Sequence, residues 1–315
     1  MLSVLEVKRK LPKEFIEKLY ENFTPLTVDK ILSGMSGERS TTLRVNTLKS
    51  NIHEIMSILK ENGIKFDRVS WYNDALIIKD ISEKQLQKLE IYNEGYIYLQ
   101  SLSSMIPPLV LNPIEGEKVL DLTAAPGSKT TQMAAMMKNT GYILANELDE
   151  LRCERLRYNI EKQGANIVEV LNGRGETIGK KYENFFDKVL LDAPCSGEGR
   201  FLGTDAKTYR GWSERTVSEL SKLQRKLFKS ACQALKPGGY LVYSTCTLNR
   251  EENENIIEWA LDNSNEMKIK TETINLNIKN IVEPISENIE VKKAIKIIPS
   301  RETEGFFIVK LKKLS

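Results

Sequence analysis

The stretch KVLDLTAAPGSKTTQ, residues 118–132, decides the fold. KVLDLT is a short, largely apolar run of buried-strand type. Small residues and Gly127 then turn the chain into a helix expected over 128–138. A strand that feeds a helix through such a turn opens a parallel α/β sheet. The pattern repeats downstream. YILANE (142–147), IVEVLN (167–172), DKVLLD (187–192) and YLVYST (240–245) read as strands. Residues 150–163, 214–235 and 251–262 read as helices, the second ending at Lys236-Pro237-Gly238-Gly239. IKIIPS and GFFIVKLKK close the chain as an edge hairpin. Ligands of such sheets sit at the carboxyl ends of the strands.

Toward the N-terminus the order changes. Residues 11–35 read as helical, with Leu11, Phe15 and Leu19 at helical spacing. TTLRVNTLK (41–49) reads as a strand, 51–62 as an amphipathic helix, 66–71 and 75–79 as short strands, 82–89 as a helix, and GYIYLQS (95–101) as a strand. Strand–helix–strand–strand–helix–strand is similar to ferredoxin-like or RNA-recognition folds. Pro107-Pro108 and Asn112-Pro113 punctuate the entry to the second part. The expected architecture is a Rossmann-like α/β sheet with helices on both faces, residues 96–315, behind a small α+β unit, residues 1–95.

The 315 residues carry a net charge of only +3, with 41% hydrophobic and 28% charged positions. A sizeable core is affordable, and any nucleic-acid surface must come from local clustering of charge. No stretch approaches the roughly 18 apolar residues of a membrane span. Met1–Lys10 lacks an apolar leader core. Four cysteines without CxxC or Cys/His spacing argue against a disulfide framework and against a metal site. The one histidine, His53, lies on an amphipathic helix, so histidine acid–base chemistry is not expected. The expected setting is the cytoplasm, without membrane or metal, and the expected state a monomer.

The Ala124-Ala125-Pro126-Gly127-Ser128 turn lets a ligand approach the backbone, and the helix N-terminus behind it suits a carboxylate. Glu147 ends the next strand, where a carboxylate grips ribose hydroxyls in nucleotide-binding α/β folds. Arg152 follows it. The loop is neither GxGxxG nor a phosphate loop, which disfavours dinucleotides and triphosphates. S-adenosylmethionine carries adenosine and a carboxylate but no phosphate, and it fits.

Two cysteines carry the chemistry. Asp192-Ala193-Pro194-Cys195-Ser196-Gly197 ends one strand, and Tyr243-Ser244-Thr245-Cys246-Thr247 ends the next. Methylating carbon 5 of a pyrimidine requires a thiolate to add at carbon 6, since the ring is otherwise a poor carbon nucleophile. A second group must assist release. Asp192 can accept the exocyclic amine or a protonated ring nitrogen, and Lys129 can stabilise charge nearby. Spacing alone leaves open which thiol attacks. Cys153 and Cys232 read as buried small hydrophobes.

The strings LDLTAAPGSKTTQ, LANE, LLDAPCSGEG and LVYSTCTLNREENE resemble the Sun (NSUN-type) family of RNA cytosine-5 methyltransferases, most of all the bacterial 16S ribosomal RNA enzymes of the RsmF/YebU kind. The resemblance covers roughly Thr41 to Leu311. It implies a covalent bond from Cys246 to cytosine and release assisted by Cys195. It implies cofactor contacts from Ala124, Ala125, Pro126, Gly127, Ser128, Lys129, Glu147, Arg152 and Asp192, with Asp192 and Lys129 also lining the base pocket. One position departs. The family's Asp-Gly-Arg after the third strand, whose Asp bonds the adenine amine, is here Asn172-Gly173-Arg174; the Asn carbonyl can accept the same bond. RsmF-type enzymes usually carry further C-terminal domains, whereas this chain stops just after GFFIVKLKK, so a match to their choice of RNA site is not assumed.

The expected partner is structured ribosomal RNA, 16S first, with transfer RNA as the alternative. The target base must leave its stack to reach the thiol. Arg200, Lys207, Arg210, Trp212 and Arg215 form a basic, aromatic-containing loop suited to phosphate contact and stacking; the plainer reading packs Trp212 in the core. A non-catalytic RNA-binding assembly factor is the competing class, disfavoured by the intact cysteine pair. A DNA or small-molecule methyltransferase is the third.

Overall fold

The computed structural model describes residues 2–315. Three helices open the chain: α1 (Val4–Lys10), α2 (Lys13–Asn22) and α3 (Pro25–Gly34). The helical stretch expected over 11–35 is thus two helices. Phe23 ends the first, and the Thr24 side chain caps the second by accepting the Thr27 amide, with Pro25 in the first turn where its missing N–H is not needed.

A small sheet follows, from β1 (Thr42–Val45), α4 (Ile52–Glu61), β2 (Phe66–Arg68), β3 (Ala75–Ile78), the short α5 (Glu83–Leu86) and α6 (Glu90–Asn93), and β4 (Ile97–Leu99). Its order is β2-β3-β1-β4, antiparallel throughout, the ferredoxin-like arrangement expected. Leu43, Val45, Leu76, Ile78 and Ile97 pack on Ile52, Ile55 and Leu59 of α4. β4 lies beyond residue 95 yet belongs to this sheet. Helices α1–α3 instead share a core with Phe201, Leu248 and Ile298 of the second half. The first 95 residues therefore feed three separate cores, the third joining Val69, Ala75 and Ile77 to Leu102 and Met105.

The linker between the sheets is a helix, α7 (Leu102–Leu111), with Pro107 and Pro108 inside it. Proline there forfeits backbone bonds. Both sides of α7 are buried, and Leu102, Met105, Ile106, Val110 and Leu111 contribute enough apolar contact to hold it. Asn112, with φ +50°, ends it. The prolines were expected as punctuation; only Asn112-Pro113 acts so.

The large sheet is built from β5 (Lys118–Asp121), α8 (Ser128–Met136), β6 (Tyr142–Glu147), α9 (Glu150–Gln163), β7 (Val168–Asn172), α10 (Gly175–Lys181), β8 (Phe186–Asp192), α11 (Glu214–Ala234), β9 (Leu235–Thr245) and α12 (Glu254–Asp262). The chain ends through α13 (Ser264–Met267), β10 (Ile269–Glu272), β11 (Ile281–Val282), β12 (Ile295–Ile297) and β13 (Phe306–Lys313). Strand order is β11-β12-β13-β9-β8-β5-β6-β7, with β10 on β13. β5 to β9 are parallel, and β13 runs antiparallel to β9. Order reverses between β5 and β8, the switch point where ligands bind. Alternate residues divide between the faces. Leu120, Val189, Leu191 and Leu241 pack with α11 and α12, while Val119, Leu190 and Val242 pack with α7 and α8. Helices on both faces are thus present. α1 and α10 gave no clear sequence signal.

β12 is tied to α12 by a fully buried ion pair, Lys296 Nζ to Glu254 Oε1 at 2.7 Å. Lys296→Met should leave a buried carboxylate without its counter-charge and destabilise the protein by about 3–5 kcal/mol, with Glu254→Gln/Lys296→Met recovering part of the loss. Urea unfolding of the three proteins checks this.

Candidate active site

β8 pairs in parallel with β9, Asp192 opposite Ser244. The two cysteine loops leave these strand ends side by side, and Cys195 Sγ lies 3.4 Å from Cys246 Sγ. The loops are locked together. The Gly199 amide donates to Cys246 O at 2.9 Å, and Ser196 Oγ meets Thr247 Oγ1 at 2.8 Å. Gly199 has to be glycine, since a Cβ there would fall 2.0 Å from Gly305 O. Arg39 clamps the same turn through the carbonyls of Gly199 (2.9 Å), Arg200 (3.3 Å) and Phe201 (3.4 Å).

The thiols differ. Cys195 is held protonated, its pKa raised first by the hydrogen bond with Cys246, then by burial and by the charges of Cys246, Glu252 and Asp192. The Arg200 guanidinium lies close enough to be held above its ordinary value, first by Cys246. Beside the pair, Lys129 Nζ donates to Asp192 Oδ2 at 2.6 Å and to Ser104 Oγ at 2.8 Å. Ser244 Oγ donates to Asp192 Oδ1 at 2.7 Å. Both oxygens of Asp192 are therefore oriented, and Lys129 joins the helix after β5 to the end of β8.

The turn after β5 forms the other side of the cleft. Gly127 caps α8 with φ +105°, and a Cβ on it would stand 2.9 Å from Leu156 Cδ1 of α9. The left-handed turn requires glycine, while the Leu156 contact is with the far end of a side chain that can move. Ala125 O accepts from Arg152 Nη2 at 2.9 Å and Pro126 O from Asn159 Nδ2 at 2.8 Å, so two carbonyls of the turn are bound to α9. Ala124 N donates to Asn146 O at 2.8 Å. Ser128 and Lys129 begin α8, where first-turn amides lack intrahelical partners. Glu147 Oε1 accepts the amides of Leu148 (2.8 Å) and Asp149 (3.1 Å), and Oε2 lies 3.5 Å from Arg152. Asn172 Nδ2 donates to the carbonyls of Glu147 (3.1 Å) and Leu148 (3.0 Å). That fixes the amide's orientation and leaves Oδ1 as the outward acceptor. Amide donors at a helix start, a fixed carboxylate and an outward amide oxygen fit a ligand with a carboxylate, a ribose and an amine-bearing base.

The expected residues thus form two adjoining groups, Ala124–Ser128 with Glu147, Arg152 and Asn172, and Cys195 and Cys246 with Asp192, bridged by Lys129. The basic loop behaves otherwise. Trp212 packs on Phe15, centroids 5.8 Å apart, and its Nε1 donates to buried Glu198 at 2.9 Å. It is an anchor rather than a free stacking platform. Lys207, Arg210 and Arg215 are exposed, Arg215 paired with Glu219. Sequence reasoning gave no separate role to Asp121, Glu198, Arg39 or Glu252. Their signal is a charge beside a motif, and only burial distinguishes them from solvated ones. Among the described residues no group of three or more His, Cys, Asp or Glu can hold a metal, and no helix is long and apolar enough to cross a membrane.

Fold and site together define an α/β methyltransferase class with paired thiols beside the cofactor turn. The chain belongs to the 16S rRNA methyltransferase RsmB/F family, which residues 108–312 match, and residues 11–102 match the N-terminal domain of 16S rRNA methyltransferase RsmF. It is 38% identical over 310 residues to a "tRNA (cytosine(49)-C(5))-methyltransferase" of Pyrococcus abyssi, covering 96% of this chain and 97% of that one. To the "Ribosomal RNA small subunit methyltransferase F" of a Shewanella species it is 37% identical, covering 91% of this chain and 59% of the relative. The crystal structure of a methyltransferase homolog from Pyrococcus horikoshii superposes with a TM-score of 0.85 at 33% identity, over 99% of each chain. The chain is an RNA methyltransferase of this cytosine-modifying family.

Two outcomes follow from the site's geometry. Iodoacetamide should modify Cys246 before the protonated Cys195 and spare buried Cys153 and Cys232, the latter's thiol pushed up to about 12 by burial; peptide mapping by mass spectrometry reads this. Burial raises the Asp121 carboxyl from 3.8 to about 7, against the hydrogen bond from Thr130. The folded state then holds a proton that the unfolded state releases. Its contribution to stability is complete below about pH 4 and is lost as pH rises through about 7, so wild type should lose stability relative to Asp121→Asn across that window. Parallel thermal melts test the sign.

Proposed function

We propose that the protein transfers a methyl group from S-adenosylmethionine to carbon 5 of a cytosine in structured RNA, through a covalent bond between Cys246 and carbon 6. The observation that carries this is the pair of thiols 3.4 Å apart beside the Lys129–Asp192 pair. When bound, S-adenosylmethionine supplies the electrophilic methyl group. The backbone of Ala124, Ala125, Pro126, Gly127 and Ser128, with Lys129, Glu147, Arg152, Asn172 and Asp192, is proposed to hold it.

Cys246 adds as a thiolate to carbon 6, and the ring electrons move to carbon 5. Nitrogen 3 takes a proton from solvent as negative charge develops on the ring, Asp192 accepts its hydrogen bond, and the proton is given back when the ring double bond is restored. Carbon 5 takes the methyl group. Cys195 removes the remaining carbon 5 proton, the C–H electrons restore the ring double bond, and the C–S bond breaks with its pair returning to Cys246. The hydrogen bond and charge of Cys246 hold the proton on Cys195 beforehand. Once Cys246 is bonded to carbon, both are gone; Cys195 then loses its own proton to water, and the thiolate left behind takes the carbon 5 proton, so one proton per turnover leaves to solvent.

The RNA is proposed to be ribosomal, 16S first, because both halves of the chain match 16S enzymes. Transfer RNA is the second reading, favoured by the match across 97% of the archaeal tRNA enzyme. The N-terminal unit expected over 1–95, with its boundary moved beyond β4 at Leu99, is proposed to contact RNA, ahead of the catalytic unit. One face of the small sheet is buried against α7, with Ile77 and Ala75 on Leu102 and Met105. Contact is therefore assigned to edges and loops.

Cys246→Ala should reduce methyl incorporation by at least about a thousandfold, and Cys195→Ala should accumulate a protein–RNA adduct that survives denaturing gels. Bisulfite sequencing of rRNA and tRNA from strains with and without the gene identifies the target. Normal incorporation by Cys246→Ala would overturn the assignment.

A further inference from the structure

Glu252 follows Cys246 by six positions and takes no part in the chemistry above. It is fully buried. Oε1 accepts the Ser196 amide at 2.9 Å and Gln224 Nε2 at 2.9 Å, and Oε2 accepts the Ser196 hydroxyl. The same Gln224 amide donates to Pro194 O at 2.9 Å. Both neighbours of Cys195 in the chain are thus tied to this one carboxyl, Ser196 directly and Pro194 through Gln224. The backbone of Glu252 is itself anchored, because Tyr243 donates its hydroxyl to the Glu252 main-chain carbonyl at 2.6 Å.

The Cys246 loop is held by other groups. Gly199 N binds Cys246 O, Asn253 Nδ2 donates to Thr247 O at 3.0 Å, and Thr245 Oγ1 donates to Asn253 Oδ1 at 2.5 Å. Glu252 reaches that loop only through Ser196 Oγ, which meets Thr247 Oγ1. Burial raises the Glu252 carboxyl to about 7 in spite of the donors from Ser196 and Gln224. A buried carboxyl with two side-chain donors and one backbone donor is a costly feature, retained where it orients something.

We propose that Glu252 is a positioning residue for product release: it holds the Pro194–Ser196 turn so that Cys195 stands beside Cys246, while the Cys246 loop is also held by Asn253, which Glu252 does not bond. The proposal rests on the reading of Cys195 as the release base. Attack and methyl transfer require Cys246, Asp192 and Lys129; only removal of the carbon 5 proton requires Cys195 within reach. A displacement of about an ångström is enough to stall such a step. Loss of Glu252 should therefore leave the covalent adduct standing.

The test uses the full chain, S-adenosylmethionine and RNA from a strain lacking the gene. Adduct is read on denaturing gels, with turnover and KM for RNA alongside. Glu252→Ala should accumulate adduct as Cys195→Ala does, with turnover down at least tenfold and KM unchanged. Glu252→Gln keeps an acceptor for the Ser196 amide and should recover most turnover with little adduct. Loss of turnover without adduct, or unchanged turnover in Glu252→Ala, overturns the proposal. If Glu252→Ala does not fold, Ser196→Ala removes the hydroxyl contact alone and should still raise adduct above wild type; adduct equal to wild type overturns it. Cys195→Ala serves as the reference. No adduct there removes the release chemistry and this proposal together, whereas adduct there but not in Glu252→Ala removes only the role of Glu252.

Discussion

The parallel pairing of β8 with β9 is the constraint on which the rest depends. Opposed at Asp192 and Ser244, the strands deliver two loops to one point, and thiols 51 positions apart meet at 3.4 Å. A slip of one residue in that register would turn one loop's side chains to the other face. The register is fixed by alternation, with Val189, Leu191 and Leu241 on one core and Leu190 and Val242 on the other.

Beyond the strand ends there is no regular structure to hold the loops, and buried carboxyls do so instead. Glu252 binds the Cys195 turn. Glu198 joins Trp212 to Asn249 by accepting from both. Glu254 takes Lys296 and the Ile285 amide. Each such group is expensive to bury, and each is met by specific donors, although the second carboxyl oxygen of Glu254 has none. Rigidity at the thiols comes from polar contacts over an apolar sheet.

The N-terminal part is less independent than its own sheet suggests. Arg44 of β1 is fully buried and donates to Gln100 Oε1 at 3.0 Å and to Thr131 Oγ1 of α8 at 3.1 Å. Gln100 continues the chain to Gln132, which donates to Met105 O. The small sheet is thereby fastened to the helix that begins at the cofactor turn. Helices α1–α3 meanwhile cover the loop carrying Phe201. RNA seated on the first part would sit on elements joined directly to the site.

The local sequence determined the elements whose information is local: the strand–turn–helix at 118–132, α9 over 150–163, the ferredoxin-like order, and the cysteines at strand ends. Period and turn chemistry are properties of neighbouring residues, so they are legible in one dimension. Helix α7 was not legible, because Pro107 and Pro108 oppose it locally and only burial on two sides stabilises it. Trp212 could be a stacking platform or a core anchor by composition; Phe15 and Glu198, distant in sequence, make it an anchor. That the Cys195 thiol is pushed up was likewise beyond spacing, since a thiol's state depends on the charges and donors around it. Those arrive from β5, β8, β9 and the loops after them. Glu252 in the sequence is one acid among several in NREENE, and only the fold, by burying it under Ser196 and Gln224, makes it unlike the others.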